Sequence, residues 1–352
     1  MASVQAIDLF CGSGGLTHGM AQAGINVLAG LDLDSTCEYA YTANNTAKFI
    51  CSDIGAYSSS CLTSLYSSGA IKLLAGCAPC QTFSKHTQKN KNREHDEKWN
   101  LLYQFASKIA EIKPDIVSME NVPGLAKYQV FKDFLAALER MGYKYSYKIV
   151  ACEKYGIPQT RRRLVLLASK YGDISLIPYT HPKPADFVSV KDVFSKYSLP
   201  AIKKGAGTPS DSLHKSANLS SINLKRIQNS SPGGTWNEWD ESLLPECYKK
   251  SSGKTYSSVY GRMSWDKPSP TITTQFYVYG TGRFGHPEQD RAISLREGAL
   301  LQTFPVKYKW VSPNSEVVFK TIGRHIGNAV PVRLGFIIGK SILNHIEKNG
   351  VA

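Results

Sequence analysis

Over its first 170 residues the chain alternates short apolar runs with segments of helical period, and no other feature limits its fold so strongly. Residues 6–10, 27–31, 49–51, 72–75 and 116–119 read as strands. Residues 16–23, 35–45, 99–112 and 131–141 read as helices, and 145–151 and 164–168 as a pair of further strands. A strand that returns through a helix comes back parallel to its predecessor, so the pattern predicts an α/β fold with a doubly wound, mainly parallel sheet. Ligands of such sheets sit beyond the C-terminal ends of the strands.

From about residue 175 the character changes. Pro, Ser, Gly and Lys become frequent, the periodicity fades and loops such as 230–234 dominate, while Trp236, Trp239, Trp265 and several Tyr supply core material. The expected division is a domain of residues 1–174, completed by 316–352, and a smaller loop-rich domain of 175–315. The last helix, 332–347, carries Leu334, Ile337, Ile338, Ile342, Leu343 and Ile346 on one broad face and is expected to dock on the first domain. No run approaches the ~20 apolar residues of a membrane span, and the opening Met-Ala-Ser-Val-Gln is not that of a signal peptide. These readings point to a soluble intracellular protein.

The formal net charge of +14 is unevenly spread. Residues 1–80 hold two basic and five acidic residues, 81–175 hold 17 and 10, and 176–352 hold 23 and 13. A surface charged for solubility is one reading; a polyanion-binding face built after residue 80 is the other, nucleic acid being the usual polyanion. Eight cysteines in a chain without an export signal are read as reduced thiols. Cys77-x-x-Cys80 lacks a second Cys or His pair to complete a four-ligand zinc site, so no metal is expected.

The chemistry-bearing residues cluster at predicted strand ends. Asp8-Leu-Phe-Cys-Gly-Ser-Gly-Gly15 follows the first strand and opens a helix, a glycine turn that lets backbone approach a ligand. It departs from the strict G-x-G-x-x-G pattern, because Thr17 stands where the third glycine belongs. Asp32 ends the second strand, where a carboxylate can hold ribose hydroxyls, and Asp53 follows the third. Cys80, behind Pro79 after the fourth strand, stands where an activated nucleophile is expected, although burial is the common fate of cysteine. The polar loop 85–98 that follows has the composition of a lid. Glu120 ends the fifth strand, and Gln159-Thr-Arg-Arg-Arg163 brings cations to the same edge; solvated charge is the plain reading of both.

Together, in order, these segments resemble the cytosine-C5 DNA methyltransferases over nearly the whole chain. The resemblance is carried by the glycine turn at 8–15, Pro79-Cys80-Gln81, Glu120-Asn121-Val122 and Gln159-x-Arg161-x-Arg163. Arg296-Glu297 within 294–304, and Gly327-Asn328-Ala329-Val330-Pro331, continue it. One departure is Asp32-Leu33, where the family usually carries Glu and an aromatic residue that stacks on adenine.

The resemblance implies a Rossmann-like fold that binds S-adenosylmethionine and releases S-adenosylhomocysteine. Phe10, Gly12, Gly14, Asp32, Asp53 and Ile54 would hold the cofactor, with Asn328 beside its methionine end or bracing the catalytic loop. It implies that Cys80 attacks C6 of a flipped cytosine, Glu120 holds N3 and the exocyclic amine, and Arg161 and Arg163 bind O2. Ser84, Lys89 and Arg93 would close over the flipped nucleotide. The second domain would recognise the target, with loops near 231–236 and 271–283. Thr271, Arg262 and Arg283 are its candidate DNA contacts, the two arginines to guanine edges or to phosphates. The expected partner is double-stranded DNA, bound by a monomer in a bacterial or phage-infected cytoplasm. A restriction endonuclease acting on the same site is a functional counterpart, with no contact implied. Two alternatives are a transfer-RNA cytosine methyltransferase, whose Cys-Phe-Thr tripeptide is absent, and a non-catalytic relative, which would have lost Cys80 or Glu120.

Overall fold

The computed structural model describes residues 3–79, 100–249 and 258–351. Cys80, Ser84, Lys89, Arg93 and the 85–98 loop lie outside the described residues. The chain forms two compact units: residues 1–151, 162–179 and 330–352, and residues 152–161 and 180–329.

The first unit is built on seven strands: β1 (Val4–Leu9), β2 (Asn26–Asp32), β3 (Lys48–Cys51), β4 (Ile71–Gly76), β5 (Ile116–Asn121), β6 (Lys144–Ala151) and β7 (Arg162–Ser169). Their order is β3-β2-β1-β4-β5-β7-β6. The first five strands pair parallel, and β7 runs antiparallel to both β5 and β6. Every residue of β1 and β5 is buried, as expected of strands covered on both faces. The chain winds from β1 to β3 on one side and restarts at β4 on the other. The switch point therefore falls between β1 and β4, whose C-terminal ends lead into the glycine turn and into Cys77-Ala-Pro79. Antiparallel β7 has a second consequence: its N-terminal end, Arg162-Arg163, lies at the same edge as the C-terminal end of β5.

Helices α1 (Gly15–Ala23), α4 (Asn100–Ile112) and α5 (Gln129–Arg140) match their sequence periods. The 35–45 segment is instead a 3-10 turn followed by α2 (Glu38–Thr42), and α3 (Ser59–Thr63) was too short to leave a periodic signal. The last helix, α11 (Val332–Lys348), packs directly on α1 through glycines. A Cβ at Gly19 would lie 2.2 Å from Val332 O, and one at Gly339 would lie 2.6 Å from Ala23 Cβ. The apolar face of α11 is thereby buried within the first unit.

The second unit holds α6 (Val190–Tyr197), a small hairpin of β8 (Gly207–Thr208) and β9 (Asp211–Lys215), and the helices α7 (Ser221–Gln228), α8 (Glu246–Lys249), α9 (Leu295–Leu301) and α10 (Phe319–Asn328). Trp236, Trp239, Ile227, Val259 and Tyr279 form one of its cores. The compact units differ from the expected division in three stretches, since 152–161 and 316–329 pack within the second and 175–179 within the first. The reason is polar. Gln159 Nε2 donates to Leu301 O (3.0 Å) and Gln302 Oε1 (2.7 Å), and its Oε1 accepts from Ile272 N (3.2 Å).

Candidate active site

At the C-terminal edge of the sheet the glycine turn is tied to the end of the second strand. Cys11 N donates to Leu31 O (3.0 Å), Gly14 N to Cys11 O (3.0 Å) and Gly12 N to Asp32 Oδ2 (2.8 Å). Phe10, Gly12 and Gly14 all have positive φ (60°, 52° and 87°). For a phenylalanine that backbone is costly and depends on the surrounding structure to maintain it. Among the described residues, a Cβ on Gly12 would meet nothing within 4 Å. Gly14 caps α1 without a side-chain acceptor, so that cap leaves N–H groups of the first turn for a ligand.

Asp32 accepts at both oxygens, from Gly12 N and from Asp34 N (2.9 Å). Burial pushes its carboxyl up, and those N–H groups hold it down. A carboxylate has about four lone-pair sites, so acceptor capacity remains for ribose hydroxyls. Leu33, beside it, is 69% exposed, an unusual position for a large apolar side chain. Asp53 is half-buried and accepts from Ala56 N (3.1 Å), while Ile54 belongs to the sheet core. Asp32 and the turn thus present carboxylate acceptors and backbone N–H groups side by side.

Glu120 sits near the end of a fully buried strand, where an uncompensated carboxylate would cost several kcal/mol. It is compensated on both sides. Arg163 Nε lies 2.8 Å from Oε1, and the Cys77 thiol donates to Oε2. Burial, and then the Glu120 charge, push the Cys77 thiol well above its ordinary range, so it remains a donor. Cys77, half-buried, is thus a hydrogen-bond donor to Glu120. Asn121 is the other residue that sequence reasoning passed over. Its Nδ2 donates to Ala78 O (3.2 Å) and its Oδ1 accepts from Val122 N (2.8 Å), tying the loop after β4 to the end of β5. Adjacency to Glu120 was the available signal. Cys80 follows three residues after Cys77 in the chain.

Two of the expected contact residues are corrected. Arg161, expected beside O2, is 2% exposed, and its guanidinium donates to Ile272 O (2.9 Å), Gly327 O (3.3 Å) and Ala329 O (3.4 Å) inside the second unit. Arg262, expected on DNA, is equally internal. Its Nε donates to Ile227 O and Ser230 O, its Nη1 to His286 O and Gln289 O, and its Nη2 pairs with Asp290. Both are braces. Of the remaining candidates, Arg283 is exposed, Thr271 uses its hydroxyl on Thr160 O (2.8 Å), and Asn328 is exposed at the end of α10. Arg296 and Glu297 are also structural: Arg296 forks onto Asp211, and Glu297 onto Arg291.

The family model described as C-5 cytosine-specific DNA methylase matches residues 4–344. The chain belongs to the C-5 cytosine-specific DNA methylase family. Among other members, the Type II methylase M.HgiDII of Herpetosiphon aurantiacus is 53% identical over 344 residues, covering 97% of this chain and 95% of that protein. The Type II methyltransferase M.Eco47II of Escherichia coli is 30% identical, covering 97% and 79%. The fold recurs in a candidate DNA modification methyltransferase encoded within an E. coli prophage, with a TM-score of 0.73 at 23% identity, covering 98% of this chain and all of that one. As a C-5 cytosine-specific DNA methylase the chain is an S-adenosylmethionine-dependent enzyme, and the glycine turn and Asp32 are chemically suited to that cofactor.

Proposed function

We propose that this methylase is the modification enzyme of a Type II restriction–modification pair, converting one cytosine of a short duplex sequence to 5-methylcytosine. The observation that carries the site assignment is the Glu120 carboxyl, held by Arg163 and Cys77 at the switch-point edge, three residues in sequence from Cys80. C5 of cytosine is a poor nucleophile because it belongs to an aromatic ring. Attack of the Cys80 thiolate on C6 breaks that conjugation and pushes electron density onto C5. Glu120 accepts from the exocyclic amine and from N3 once N3 carries a proton, and so favours protonation there, offsetting the charge that develops. Arg163 binds O2 and, through Glu120, orients the acid; Arg161 is withdrawn from this role. Once C5 carries the methyl group, loss of its proton to a solvent base restores the ring and expels the thiolate.

Phe10, Gly12, Gly14, Asp32, Asp53, Ile54 and Asn328 hold S-adenosylmethionine, whose chemistry when bound is to supply a sulfonium methyl, leaving S-adenosylhomocysteine. Leu33 offers the adenine an apolar face in place of an aromatic ring; its exposure supports this. The target base must leave the stack, since C6 is inaccessible in duplex DNA. Ser84, Lys89 and Arg93 close over it. The 180–315 part of the second unit reads the sequence through loops near 231–236 and 271–283, with Arg283 the arginine free to do so. The enzyme acts as a cytoplasmic monomer on the site that a cognate endonuclease cleaves; the Type II naming of its relatives supports the pairing with an endonuclease.

Two experiments test the reading. Bisulfite sequencing of plasmid from cells expressing the protein should show 5-methylcytosine at one recurrent sequence. Duplex DNA carrying 5-fluorocytosine at that site should form a covalent adduct when the methyl donor is present, and Cys80→Ala should abolish it. Methylation surviving Cys80→Ala would refute the mechanism.

A further inference from the structure

Thr17 occupies the place of the third glycine of a strict dinucleotide turn, and its surroundings give it a task. It lies, buried, in the first turn of α1, and its Oγ1 donates to Asp8 Oδ2 at 2.7 Å. Tyr41 Oη, on α2, lies 3.1 Å from the same oxygen. Because the Thr17 proton goes to Asp8, the phenol is the donor in that second bond. Asp8 precedes the turn on β1 and Thr17 follows it on α1, so this hydrogen-bonded chain bridges the two ends of the turn. Room for the phenol comes from Gly30 on β2: a Cβ there would lie 2.5 Å from Tyr41 Oη and 2.7 Å from Cys11 Sγ. Glycine inside a strand weakens it and often marks such a close approach.

We propose that Asp8, Thr17 and Tyr41 form a strut that keeps the glycine turn in its ligand-ready shape, which makes Thr17 and Tyr41 positioning residues for the methyl donor. The proposal rests on the reading of this turn as the cofactor site. The turn's own restraints are weak. Three of its residues have left-handed backbone, and among the described residues nothing lies within 4 Å of a Cβ placed on Gly12. Glycines lose most on ordering, so such a turn adopts one shape only when its flanks are tied. A buried hydrogen bond suits that purpose because water does not compete for it.

Thr17→Val keeps the shape and removes the hydroxyl, Thr17→Ser keeps the hydroxyl, and Tyr41→Phe removes only the phenol oxygen. Titration calorimetry of the full-length protein with S-adenosylhomocysteine should give a Kd raised about tenfold by Thr17→Val and about threefold by Tyr41→Phe, as loss of one or part of one buried bond requires. Thr17→Ser should return it to within about twofold of wild type. In steady state, KM for the methyl donor should rise more than kcat falls, with KM for DNA unmoved. Thr17→Val binding like wild type, or raising KM for DNA as much as for the methyl donor, would overturn the strut. If Thr17→Val does not fold, Tyr41→Phe decides: an unchanged Kd overturns the proposal and a raised one supports it. Wild type that binds no S-adenosylhomocysteine brings down the cofactor reading and the strut together; wild type that binds beside unaffected variants brings down the strut alone.

Discussion

The two compact units treat a buried acid in opposite ways. In the first, Asp8 is fully buried and accepts from the Thr17 hydroxyl; burial, with Asp32 adding to it against the Thr17 bonds, pushes the carboxyl up to about 7. In the second, Glu297 is buried too, but Arg291 forks onto it at 2.7 Å through two bonds and, against the cost of burial, brings it down to about 2. The contrast extends to the arginines. A loop-rich unit has many carbonyls and few ladders to satisfy them, and an arginine carries five donors. Arg161, Arg262, Arg291 and Arg296 are used this way, as internal braces. At the sheet edge of the first unit the ladders are complete, and Arg163 is left to meet a reactive carboxyl. Positive charge in the sequence is therefore an upper bound on what faces a polyanion.

Removing a brace should have the largest effect. Arg262→Ala should destabilise the protein by about 3–5 kcal/mol in chemical denaturation, the usual cost of breaking a buried, hydrogen-bonded charge. Loss of DNA affinity at unchanged stability would break the comparison. The two acids should next give opposite pH dependences. Asp8's contribution is full below its unfolded value of 3.8 and is lost as pH rises toward 7. Asp8→Asn should therefore flatten stability against pH, so that its difference from wild type changes across that window by up to roughly 4 kcal/mol. Glu297's contribution is present above 4.5 and is lost as pH falls toward 2, so Glu297→Gln should cost stability mainly at neutral pH.

Arg163→Ala leaves the buried Glu120 without its cation, so it should cost stability and also lower kcat about 100-fold at temperatures where the variant is folded; Arg161→Ala should lose stability first. Cys77→Ala removes a weak donor from Glu120 and should cost about three- to tenfold in kcat, with Cys77→Ser closer to wild type. Arg283→Ala should have the smallest effect on the fold, within about 0.5 kcal/mol, while weakening DNA binding severalfold. It should also reduce the slope of binding against salt by about one.

Much of the fold was legible in the chain. Strand and helix positions in the first 170 residues came through because period-2 and period-3.6 patterns are local, and the sheet edge came through because turn residues mark strand ends. Glu120 and the glycine turn were legible for the same reason: each is defined by what immediately precedes it. Cys77 and Asn121 were not, because their roles lie in hydrogen bonds to another strand end 43 residues away. Arg161 and Arg163 show the boundary most sharply. They sit two residues apart in one basic run, and no local rule separates a brace from a site residue.

The sequence by itself determined the doubly wound sheet, the switch-point edge, the glycine turn and the family to which the chain belongs, because all of these are written in short-range pattern and motif order. Only the tertiary structure decided which charges are available. Burial and partner geometry arise from segments far apart in sequence: Arg262 meets carbonyls 24 to 35 residues away, Arg161 meets those 111 to 168 away, and the side chain types alone carry no trace of it. Desolvation makes such pairings decisive, since an arginine or carboxyl taken from water must find its partners within the fold.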